Sequence, residues 1–60
     1  MHNFYLGGYE YGIVYRNGTH VIIDWSDYLQ GKEGIEFTGT YQECCTKRDK
    51  MIAEYAESLL

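Results

Sequence analysis

YEYGIVYRNGTHVIIDW, residues 9–25, decides the fold. Two β-prone runs flank Asn17-Gly18. Asn-Gly between such runs marks a two-residue type I′ hairpin, because that turn needs φ > 0 at both central positions. A two-residue loop also sets the register. Arg16 faces Thr19, Tyr15 faces His20, Val14 faces Val21, Ile13 faces Ile22, Gly12 faces Ile23, Tyr11 faces Asp24 and Glu10 faces Trp25. Side chains alternate across a strand. One face therefore carries Val14, Val21, Ile23 and Trp25, and the other carries Tyr9, Tyr11, Ile13, Tyr15 and Ile22. Both faces are apolar or aromatic.

Upstream, His2 to Leu6 reads as a short strand. If Gly7-Gly8 forms a second two-residue turn, Leu6 faces Tyr9 and Phe4 faces Tyr11, and both join the tyrosine face. Gly12 permits a bulge or a close approach by another group. Downstream, Ser26 to Gly31 resembles one helical turn with Ser26 as cap and Gly31 as stop. Residues 35–38 alternate with period two and read as an edge strand, Ile35 and Phe37 inward and Glu36 to water. Thr40 with Glu43 three later is a capping box that opens a helix over about residues 41–59. Tyr41, Cys44, Cys45, Met51, Ile52, Tyr55, Ala56 and Leu59 fall on one side of it. Arg48 interrupts that stripe and should lay its stem along it. The expected fold is α+β, a small antiparallel meander of three to four strands with one C-terminal helix packed on one face. The strands run over about residues 2–6, 9–16, 19–25 and 35–38, and residues 1–60 form a single domain.

A chain of 60 residues buries only a small core. Domains of this size bury about 60% of their unfolded surface and need good packing, a metal, disulfides or oligomerisation. The two cysteines are adjacent, and neighbours rarely bridge each other. No basic n-region and no long apolar run opens the sequence, which points to a reduced, cytoplasmic protein and to no membrane contact. One helix cannot cover two apolar sheet faces, so a homodimer is expected.

The net charge is −4, and all of it lies in residues 1–46. Residues 47–60 are balanced. An acidic body argues against direct nucleic-acid binding, whose affinity comes from Lys and Arg. It suits a basic partner surface, or it simply keeps the chain soluble.

Chemistry-bearing patterns are sparse. Asn17-Gly18-Thr19 matches a glycosylation acceptor, but the turn explains it. Cys44-Cys45 lacks the spacing of a zinc site, and the remaining nitrogen ligands are only His2 and His20. Small residues opening a buried helical stripe account for the pair, with a low-pKa thiolate near the helix N-terminus as the alternative. His20 and Asp24 lie roughly 13 Å apart along one strand and cannot work as an acid–base pair. His20 opposite Tyr15 reads as cross-strand packing. These patterns call for no catalysis, no metal and no cofactor.

Seven tyrosines in 60 residues carry more weight. Tyrosine is enriched at interfaces because it offers large area with a polar tip. The expected contact residues are Tyr5, Glu10, Val14, Arg16, Val21, Ile23 and Trp25, gathered by the Gly7-Gly8 register opposite the larger apolar face.

In length, acidity and aromatic content the chain resembles the small proteins that bacteriophages use to block host defence systems. The resemblance covers size and composition and transfers no residues. It implies a stoichiometric inhibitor of a larger host protein, such as a bacterial antiviral defence component, acting in the host cytoplasm. A sponge that sequesters a nucleotide signal is the runner-up, although it needs cations near phosphates. A structural or housekeeping subunit is the third reading.

Overall fold

Ile22, Ile13 and Phe4 form a row across three strands, and Cys44 of a single long helix closes over them. The computed structural model describes residues 2–60. Its elements are β1 (His2–Leu6), β2 (Tyr9–Arg16), β3 (Thr19–Asp24), α1 (Trp25–Leu29), β4 (Ile35–Gly39) and α2 (Tyr41–Ser58). The strands form one antiparallel sheet in the order β1-β2-β3-β4. The fold is the expected α+β meander with a C-terminal helix.

The register follows from the turns. Asn17 and Gly18 have φ of 52° and 81°. Arg16 pairs with Thr19, and each pair down to Tyr11 with Asp24 keeps the predicted partner. Gly7 has φ of 59°, and Leu6 pairs with Tyr9 and Phe4 with Tyr11.

Three local features depart from the sequence reading. The β2–β3 ladder stops at Tyr11–Asp24, and Trp25 opens α1 instead of pairing with Glu10. The cap of α1 is Asp24, not Ser26. Its Oδ1 accepts hydrogen bonds from the Ser26 and Asp27 amides at 2.9 and 3.4 Å. A carboxylate at the strand end reaches the first free N–H groups and turns the chain one residue earlier. Third, the ladder between β3 and β4 shifts between Ile22 and Ile23. Phe37 pairs with Ile22 but Ile35 pairs with Ile23, so Glu36 is an extra residue. Ile35 therefore does not point inward with Phe37; it lies on the opposite face, 42% exposed.

The helix covers the tyrosine face. Leu6, Tyr11, Phe37, Cys45 and Met51 pack around the row of Phe4, Ile13, Ile22 and Cys44. The Thr40–Glu43 capping box is present on both sides. Only the first half of the expected helical stripe is core. Cys44 is fully buried, whereas Ile52, Tyr55 and Leu59 are 42%, 37% and 68% exposed. The reason is length. At 1.5 Å per residue an 18-residue helix spans about 27 Å, and the strands are five to eight residues long. The helix crosses obliquely, from the end of β4 to the β1–β2 turn, where the Tyr55 hydroxyl sits over Gly7.

The opposite face is bare of any long element, yet Val21 and Ile23 there are only 3% and 2% exposed. Val21 lies between Val14 and Thr38, and Ile23 between Gly12 and Ile35. The Trp25 indole lies directly over Gly12 and roofs that end of the row. A Cβ on Gly12 would come within 2.6 Å of the indole Nε1, so glycine is required. These two β-branched side chains are thus part of the fold. Their burial removes the reason for expecting a dimer through this face.

Val21→Glu should therefore unfold the chain, because it places an unpaired charge in a dry site at a cost above about 3 kcal/mol. Circular dichroism and urea titration check this; a folded, cooperative Val21→Glu protein would contradict the burial. Burial also pushes the Cys44 thiol up, with Cys45 and Glu43 adding to the rise and the Gly39 backbone opposing it. That direction is opposite to an activated thiolate. Folded Cys44 keeps its proton where an unfolded thiol, near pH 8.5, gives it up. The resulting stability is full below that pH and is lost as the pH rises through the folded value. Urea midpoints should fall as the pH rises above about 8.5, less steeply in Cys44→Ala. Thiol reagents should modify Cys45, half-buried, before Cys44.

Candidate functional site

The bare face is organised around Glu10. Its neighbour in register is Tyr5 on β1. The Tyr5 hydroxyl donates to Glu10 Oε2 at 3.2 Å, and the Asn3 amide donates to the same oxygen at 3.1 Å. Asn3 Oδ1 in turn accepts from Trp25 Nε1 at 3.4 Å. The indole meets the Tyr28 ring edge-on, with centroids 5.6 Å apart at 89°. One chain of contacts thus runs from β1 through β2 to α1: Tyr5, Glu10, Asn3, Trp25, Tyr28. The Glu10 carboxylate raises the Tyr5 phenol, first through its charge and then through the hydrogen bond. Tyr5 stays a neutral donor at neutral pH.

Sequence reasoning places Tyr5, Glu10, Val14, Arg16 and Trp25 correctly on one face. Tyr5 is 68% exposed, Arg16 is exposed and Glu10 and Val14 are half-buried. Val21 and Ile23, expected among the contact residues, are interior and present nothing to a partner. Trp25 reaches the face from α1, half-buried, and serves as a roof as much as an anchor. Asn3 and Tyr28 belong to the site and were not expected. Asn3 is legible in hindsight, since period two puts it beside Tyr5 on the same face of β1.

A second aromatic cluster closes the other face where α2 begins. Tyr15 meets His20 edge-on at 5.1 Å, the expected cross-strand pair. Tyr41 of α2 then contacts His20 at 5.3 Å and His2 at 5.6 Å, and its hydroxyl lies 2.6 Å from His2 Nε2. This cluster ties the start of α2 to three strands.

Asp24, Asp27 and Glu36 bring one carboxylate oxygen each within 4.8 Å of one another. The bulge delivers Glu36 there, which no sequence pattern signals. Asp24 already serves as the α1 cap. The three carboxylates, after burial itself, help to raise the Tyr11 phenol.

Between β4 and α2 lies an open groove of about 330 Å³, lined by Phe37, Gln42, Glu43, Thr46, Lys47 and Lys50. Phe37 is its one large apolar side chain. Among the described residues no helix is long and apolar enough to cross a membrane. No protein-family model matches the chain, and no curated protein and no solved structure was found to match it.

Proposed function

We propose that this protein binds a larger protein directly and non-covalently, and acts by occupying it. The observation that supports this reading is the Tyr5–Glu10–Asn3–Trp25–Tyr28 chain on the face that α2 leaves bare. Aromatic side chains with their polar tips already engaged lose little freedom on binding, and they are the anchors that interfaces favour. Tyr5 and Tyr28 are 68% and 47% exposed. A carboxylate lies between the rings, and the acidic excess of the chain falls outside its last fourteen residues. Acid around aromatic anchors selects a basic patch on the target, chiefly through faster encounter. The inhibitor of a host defence component is the form of this reading that fits the chain's size and acidity.

The nucleotide sponge has one observation in its favour, the two lysines beside Phe37 in the groove. Glu43 in the same groove opposes a phosphate there. Denaturing the purified protein and analysing the supernatant by mass spectrometry separates the two readings: a released nucleotide supports the sponge, and its absence with a captured protein supports the binder.

Tyr5 is exposed, and Glu10 is half-buried at the end of β2 beyond its ladder with β3, so Tyr5→Ala and Glu10→Lys should leave the fold intact. Each should weaken capture of the target from a bacterial lysate by at least about tenfold, and wild-type association should slow as salt rises. Trp25→Ala is a poorer probe, because it also unroofs Gly12. Wild-type capture by both folded variants would remove this face from consideration.

A further inference from the structure

Glu10 is a carboxylate that the fold holds in place and leaves half satisfied. We infer that it receives an arginine side chain of the bound protein, with the guanidinium laid on the Tyr5 ring. The inference rests on the target-binding reading above and names the group that the site takes.

Neutral donors alone fix the carboxylate. Its Oε2 accepts from the Asn3 amide at 3.1 Å and from the Tyr5 hydroxyl at 3.2 Å. Those two bonds use both lone pairs of that oxygen. Among the described residues nothing donates to Oε1. No cation of the chain offsets the charge either, since the one ion pair among the described residues joins Arg48 to Asp49. Glu10 is also half-buried. A carboxylate in that position gains most from a donor that carries charge, because such a bond is roughly twice as strong as a neutral one.

The neighbouring ring selects the cation. Tyr5 faces Glu10 in the β1–β2 register, and its hydroxyl bond holds the ring beside the carboxylate. The residue is 68% exposed. Among the described residues no other ring packs on it. A guanidinium is flat and weakly hydrated, so it lies on an aromatic face while its edge donates to an adjacent oxygen. End-on pairing with both carboxylate oxygens would need Oε2, which is taken. The guanidinium therefore donates to Oε1 and gains the rest from the ring. A lysine ammonium is compact and strongly hydrated, and gives up more water to reach the same place. A phosphate or carboxylate would meet Glu10 with like charge. An apolar anchor would cover Oε1 without supplying a donor.

The test uses the full chain and capped Gly-X-Gly peptides, where X is arginine, lysine or citrulline, the uncharged analogue of arginine. NMR follows two reporters. One is the Trp25 indole N–H, from the single tryptophan, which donates to Asn3 Oδ1. The other is the Asn3 side-chain amide. The arginine peptide should shift both saturably, with a dissociation constant on the order of 10 mM. The lysine peptide should bind at least about threefold more weakly, and the citrulline peptide should give no saturable shift. Glu10→Gln keeps an oxygen acceptor for Asn3 and Tyr5 and removes the charge. With an unchanged circular dichroism spectrum it should weaken the arginine peptide at least about fivefold. Tyr5→Ala, a second route, should bring arginine down to the level of lysine. No saturable shift up to about 100 mM arginine peptide would overturn the inference. So would equal binding of lysine or citrulline, binding unchanged in folded Glu10→Gln, or shifts centred on Asp24, Asp27 and Glu36 instead. The two readings fail separately. If the arginine peptide does not bind while Glu10→Lys still weakens target capture, the arginine assignment falls and target binding through this face stands. If the peptide binds as described while both folded variants capture the target like wild type, the arginine site stands and target binding through this face falls.

Discussion

The whole chain depends on one contact, that of Cys44 on the row of Phe4, Ile13 and Ile22. Each of those side chains comes from a different strand, and the fourth member comes from the helix. Burying a large apolar side chain contributes about 1.5–3 kcal/mol, and a chain this size has few to bury. A small thiol at position 44 lets the helix approach the sheet closely. The molecule is only 15 Å deep along its shortest axis, one sheet and one helix. Among the described residues no third layer stabilises the other face, so that face must be dry through its own side chains. Val21 and Ile23 are flanked on both sides by neighbouring strands, and the Trp25 indole closes over Gly12.

This constraint explains what could be read from the sequence. The Asn17-Gly18 turn has one comfortable geometry, and a period of two then fixes every partner down to Asp24. Phe4, Ile13 and Ile22 follow from that register, and the capping box places the start of α2. Three outcomes depend on tertiary context and leave no local signal. Asp24 and Ser26 are both good caps, and the strand's end decides between them. Glu36 is an extra residue because β3 turns into α1 while β4 arrives through Gly34, whose φ of 70° lets it sit against the Asp24 carbonyl. The exposed half of α2 has helical periodicity as good as the buried half, but the sheet ends beneath it. Periodicity reports which residues share a face and says nothing about whether anything lies opposite.

The candidate contact residues were half legible for the same reason. Alternation places Tyr5, Glu10, Val14 and Arg16 on one face without reference to depth. It places Val21 and Ile23 there too, and depth separates them: central strands bury their β-branched residues on both faces. What remains exposed is the rim of that face: Tyr5 on β1, Arg16 at the β2–β3 turn, Ile35 on β4 and Tyr28 on the short helix α1. The polar chain from Tyr5 to Tyr28 runs along that boundary, where the Glu10 carboxylate can accept two hydrogen bonds and still meet water.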